Sequence, residues 1–155
     1  MANGFKALRH VGGGVARLSQ YTISAAAPAI FNGDIVKLVA GNILAAVTNE
    51  LHAGSFVGCM YLNAKGEQKF SPDWPADTAA TEITGLINED SNVSYAVTDS
   101  SGALTVGALC DLDTAVAGDA STGASRMAVK ASVNGDFKVR SIVDATNNIV
   151  EVVIV

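Results

Sequence analysis

The chain is poor in the residues that usually carry chemistry. Its 155 residues include two histidines, two cysteines, one tryptophan and three prolines. Charged side chains are 16% of it, against roughly 25% in an average soluble domain. Few charges together with few prolines exclude a disordered chain, which is charge-rich and poor in aliphatics. No dense basic patch interleaved with aromatics is present, so nucleic acid is not an expected partner.

Long apolar runs are missing too. A membrane helix needs about 18 to 20 consecutive apolar residues. The most apolar stretch, Leu38 to Val47, is interrupted by Gly41 and Asn42. The opening Met1-Ala2-Asn3-Gly4-Phe5-Lys6 has no hydrophobic secretory core. The expectation is a soluble protein, synthesised in the cytoplasm, with no membrane partner. Cys59 and Cys110 stand alone in apolar surroundings and are expected as buried, reduced thiols. Neither has a Cys or His two to four residues away, so no cysteine metal site is expected.

Catalytic constellations are equally scarce. His10 sits in a glycine-rich N-terminal stretch and His52 in a loop beside Glu50. A Glu50/His52 pair could serve as a general base or half a metal site, but both are expected as solvated loop residues. Gly12-Gly13-Gly14 lacks the Lys-Ser/Thr of a phosphate loop and the βαβ setting of a dinucleotide site, so it reads as a hinge. Ser121 to Ser125 contains no Gly-x-Ser-x-Gly elbow and reads as a loop. Asp111-Leu112-Asp113, with Asp119 beyond, starts like a calcium loop. Ala115 at the third ligand position and the lack of a closing Glu exclude an EF-hand. The chain is expected to be neither an enzyme nor the holder of a cofactor or metal.

What is abundant is small aliphatic surface. Hydrophobic residues make up 49%, mostly Ala and Val, and the mean hydropathy of +0.32 suits a protein partly covered by neighbours. Apolar residues alternate with polar ones between turn signals, the period of half-buried strands. Strands are expected over Arg17–Ile23, Ile35–Val39, Ser55–Leu62, Gln68–Phe70, Glu82–Asn88, Val93–Thr98, Arg126–Val133, Phe137–Val143 and Ile149–Val155. Residues 103–109 fit a strand or one or two helical turns. Asn134-Gly135-Asp136 is the strongest hairpin signal. The terminal strand is apolar and has to be paired, internally or by a partner. No segment holds a helical apolar stripe. The fold class is therefore all-β, a sandwich or small barrel of about eight to ten short strands.

Residues 1–16 show no period and read as an extended, flexible N-terminal arm, leaving 17–155 as a single β domain. Charge is split the same way. Residues 1–33 hold Lys6, Arg9 and Arg17 and no acid, so residues 34–155 carry −8 of the overall −5. Trp74, set between Pro72 and Pro75, is expected either as a plug at one end of the barrel or as an anchor at a subunit contact.

Four segments, taken in order, resemble the head decoration (cement) proteins of tailed bacteriophages. Gly4-Phe5-Lys6-Ala7-Leu8-Arg9-His10-Val11 is similar to that family's Gly-Phe-Arg-Pro-x-Arg-His opening. Phe31-Asn32-Gly33-Asp34-Ile35-Val36-Lys37-Leu38 resembles its Phe-x-Gly-Asp-x-Val-Lys-Leu strand start. Phe56-Val57-Gly58-Cys59-Met60-Tyr61 with Trp74-Pro75-Ala76, and then Thr122-Gly123-Ala124-Ser125, complete the set. The chain departs from the pattern at Asp77, where the family has Gly, and at Glu89-Asp90-Ser91, where it has Asp-Pro.

The resemblance implies a jelly-roll-like domain on the outer surface of a virion head, a homo-oligomer (dimer or trimer) bridging major capsid protein subunits. Phe5, Lys6, Arg9, His10 and Arg17 would then form a capsid-binding arm, its cations meeting acidic capsid patches. The alternative class is a carbohydrate- or host-binding β-sandwich module of a virion, for which Trp74 is the one strong aromatic candidate. A hydrolase would need a polar pocket that two histidines do not assemble.

Overall fold

The computed structural model describes residues 4–155, and these form an all-β protein of twelve strands in two sheets. Among the described residues no helix is long and apolar enough to cross a membrane. The strands are β1 (Lys6–His10), β2 (Leu18–Thr22), β3 (Ile35–Val39), β4 (Asn42–Ala45), β5 (Gly54–Leu62) and β6 (Gln68–Ser71). They continue as β7 (Thr81–Asn88), β8 (Val93–Thr98), β9 (Leu109–Asp113), β10 (Ala128–Ala131), β11 (Phe137–Asp144) and β12 (Ile149–Ile154).

One sheet is built from a contiguous stretch. Strands β3-β4-β2-β7-β5 close on themselves through Ile35–Ser55 and Val36–Gly54, making a small five-stranded barrel with β6 hung on the outer half of β5. Period-2 patterning explains the interior: Val36, Ile43, Phe56, Ile83 and Ile87 all face it. Gly85 leaves the space that two isoleucines fill, since a Cβ there would lie 2.5 Å from Ile43 Cδ1 and 3.0 Å from Ile23 Cδ1.

The other sheet has the order β1-β8-β12-β11-β9-β10. It joins the C-terminal half of the chain to the first strand. The chain changes sheets between Asn88 and Val93, and β1 then pairs antiparallel with β8. Val93, Tyr95, Val97, Leu112, Val129, Phe137, Val139, Val150 and Val152 form its core, joined by Ile35 and Ala46 from the barrel side. The apolar terminal strand β12 lies in the middle of the sheet, between β8 and β11, so its pairing is internal.

Three expectations are corrected. The first described part of the N-terminal arm is folded: residues 6–10 are a strand, and Phe5 is in the core, its ring 5.2 Å from that of Phe137. Residues 11–16 form no strand or helix. Asn134-Gly135 does not make a hairpin. Strands β10 and β11 lie on opposite sides of β9, and the turn carries the chain across β9's end. Gly135 passes so close that a Cβ would fall 2.0 Å from Cys110 O, which is why glycine stands there. Residues 103–108 are neither strand nor helix, and β9 starts at Leu109.

Candidate functional site

The four segments of the resemblance are far apart in sequence and meet at one junction. The Phe5 amide donates to Gly33 O at 2.9 Å, and the Gly33 amide donates to Phe56 O at 2.9 Å. Phe56 N in turn donates to Asp34 O at 2.8 Å. Asn32 exchanges backbone bonds with the 123–125 loop, its N–H going to Gly123 O and its carbonyl accepting from Ser125 N, both at 2.9 Å. Trp74 is bridged to Ile30 by paired backbone bonds. Gly33, with φ of 91°, has the left-handed backbone that glycine takes most readily, and Phe5 N and O would stand 3.3 Å from a Cβ there. Asp34 is buried here, accepts from Phe31 N at 3.0 Å and is hydrogen-bonded by Ser125. Burial pushes its carboxyl above the usual range, and the Ser125 and Phe31 bonds act against that.

The residues expected to form a capsid-binding arm separate into two groups. Phe5 is core, and Arg9 and His10 are engaged within the chain. Arg9 Nε and Nη2 both donate to the Glu151 carboxylate at 2.9 Å, a bidentate pair in which Arg9 is 61% exposed and Glu151 2%. Ser141 adds a third bond to Glu151 at 2.6 Å. Held by the Arg9 guanidinium and then by Ser141 and Ser94, against the cost of burial, the Glu151 carboxyl falls to about 2. His10 Nδ1 accepts from the Gly12 and Gly14 amides at 3.1 Å, and its Nε2 lies 3.3 Å from Asp90. The 11–17 segment is also tied by a bond from Val11 N to Asn92 O.

Lys6 and Arg17 differ from these. Both are exposed, and neither makes an ion pair among the described residues. Lys6 lies on an edge: among the described residues β1 pairs only with β8, leaving its outer side open with Leu8 exposed. Arg17 immediately precedes β2 of the other sheet and acts on Asp90. A groove lined by Arg17, Leu18, Ser19 and Glu89 lies near the other end of the same segment. On β6, the strand hung outside the closed barrel, Phe70 is 73% exposed.

Trp74 is fully buried in the barrel core, its Nε1–H donating to Ala27 O at 3.2 Å and its ring edge-to-face with Tyr61 at 5.4 Å. It is therefore not available as a subunit-contact anchor or as a stacking surface for a sugar. The two prolines and the Ile30 bridge hold the segment so that the indole fills the interior.

His52 departs from the solvated-loop expectation. Its imidazole is 1% exposed, stacks on Phe137 at a centroid distance of 5.0 Å and stands near Asp111 and Asp136. Burial lowers its affinity for a proton, outweighing the two nearby carboxylates. Glu50 is engaged elsewhere, accepting from Lys37 Nζ at 2.5 Å and Val47 N at 2.9 Å. The signal in the sequence was the apolar flank Leu51-His52-Ala53; the two aspartates arrive from distant segments. Asp113 and Asp119 do not join them, since Asp113 bonds Ser100 and Asp119 bonds Ser121 and Arg126. No family model matches the chain, and neither does any curated protein or solved structure.

Proposed function

We propose that the chain is a structural virion protein that binds the outer surface of a tailed-phage head and cements neighbouring major capsid protein subunits. The observation that carries this reading is the junction. Four segments resembling decoration proteins are dispersed along the chain, yet they are joined by direct backbone hydrogen bonds around Asn32 to Asp34. That convergence supports reading the four likenesses together. The backbone of the motifs builds the junction, and the capsid-facing surface is the outward side of the first motif together with the segment after it.

That surface is the β1 edge and the segment that follows it. An open strand edge with Leu8 and the exposed Lys6, with Arg17 exposed beyond the loop that follows, suits main-chain pairing with a capsid segment and steering by its acidic patches. The reaching element is then an anchored strand and loop rather than a free arm. A jelly-roll-like relation to other cement proteins, and assembly as a dimer or trimer, belong to the same proposal. Many rigid clamps acting together stabilise a shell by mass action and multivalency.

The test mixes the purified protein with empty expanded phage heads and measures co-sedimentation, alongside the solution mass of the free protein. Saturable binding at a stoichiometry matching local two-fold or three-fold axes supports the reading. A monomer that stays in the supernatant at all concentrations overturns it.

A further inference from the structure

Three chain segments bring ligand-type atoms together below the barrel-side loop. His52 comes from the β4–β5 loop, Asp111 from β9, and Asp136 from the turn that crosses the end of β9. Their ligand atoms all lie within 4.8 Å of one another. His52 Nε2 is 3.3 Å from Asp136 Oδ2 and 3.8 Å from Asp111 Oδ1. An ion bound at about 2.1 Å in a tetrahedral site sets its ligands roughly 3.4 Å apart, close to both spacings.

The imidazole supplies the independent observation. It is almost wholly buried, and among the described residues neither Nδ1 nor Nε2 makes a hydrogen bond of good geometry, although Nε2 lies within 3.3 Å of Asp136. Burying a polar ring without partners costs free energy, and a buried group left this way needs an explanation. We propose that His52, Asp111 and Asp136 bind one divalent transition-metal ion of the zinc type, pinning the β4–β5 loop to β9 and to the start of β11.

The surroundings are built for it. Both Asp111 oxygens are oriented by backbone donors, Oδ1 by Leu112 N at 2.7 Å and Oδ2 by Asn49 N at 3.0 Å, as supporting hydrogen bonds orient metal ligands. Thr48 fastens the same loop to β9 by donating to Leu112 O at 2.8 Å. Asn49 holds a left-handed backbone, φ of 63°, to make its bond. Phe137 fixes the plane of the His52 ring. The close passage of Gly135 over Cys110 delivers Asp136 to the site. Asp136 is 43% exposed, so the ion can exchange with solvent on that side and take water as its fourth ligand. One imidazole with two carboxylates is a mixed donor set that favours zinc over calcium or magnesium, which take oxygen alone.

The experiment uses the full chain stripped with EDTA and titrated with zinc against a chromogenic chelator, with thermal unfolding recorded in parallel. One zinc per chain is expected, with a rise in Tm that calcium and magnesium at the same concentration do not produce. Asp136→Asn, at the exposed rim, should keep the apo Tm and weaken zinc binding at least about 10-fold. His52→Ala should abolish the site, and His10→Ala should leave it intact. Equal zinc binding by wild type and Asp136→Asn overturns the proposal. So does an NMR spectrum in which His52 is protonated at neutral pH and unchanged by zinc. The outcome is independent of whether the protein binds capsids.

Discussion

At the scale of single residues, the most consequential side chain outside the cores is Glu151. A carboxylate that is 2% exposed survives because Arg9 and Ser141 saturate it. Its folded-state value, about 2, is below the ordinary glutamate value, so its contribution to stability is full above the ordinary range. That contribution is lost as pH falls through about 2. Arg9→Ala should therefore destabilise strongly at pH 7, and the difference from wild type should shrink steadily as pH is lowered toward 2. Urea unfolding at a series of pH values reads this directly, and a pH-independent difference would show that Arg9 acts by packing alone. The cysteines behave in the opposite sense. Burial lifts Cys59 and Cys110 to about 12, and they sit in separate cores, so both remain thiols in the native protein.

At the scale of elements, turns decide more than strands do. The β3–β4 hairpin closes through Ala40 and Gly41, with φ of 50° and 81°, and Val39 paired to Asn42. Two positive φ values in a two-residue loop are the type I′ turn, in which alanine is strained and asparagine is not. Ala40→Asn should stabilise the protein by about 0.5 to 1 kcal/mol, measured as a higher urea midpoint at unchanged slope. Asn134-Gly135 shows the limit of turn reading. Its residues have the right chemistry for a hairpin, but β9 occupies the place between β10 and β11 that a hairpin would close. The period-2 pattern located β3 and β8 to the residue, because the pleat is a local property. It missed β9, whose alternating aspartates look like a metal loop in sequence and face away from Cys110 and Leu112 in the sheet.

At the scale of the molecule, the N-terminal segment is both structural and exposed, which changes how the capsid proposal has to be tested. Deleting residues 1–16 would remove Phe5 from the core and β1 from its sheet, so lost binding would carry no information about the interface. Reversing Lys6 and Arg17 to Glu leaves the fold in place. The double variant should bind heads several-fold more weakly, with most of the loss gone at high salt, because exposed ion pairs contribute about 1 kcal/mol or less each. Unchanged binding in low salt would remove the β1 edge as the capsid-facing surface.

The sequence by itself determined that the chain is all-β, where most strands run and that its cysteines are apolar thiols. Those are properties of local pattern and composition. Only the tertiary structure decided which strands neighbour which, that Phe5 and Trp74 are interior, and that Arg9 and His10 are already engaged. It alone brought His52, Asp111 and Asp136 within ligand distance. Alternation tells a strand which of its faces is apolar, but partner choice depends on long-range closure of the barrel and on close passages such as Gly135 over Cys110. A site assembled from three such passages leaves no spacing to read in the chain.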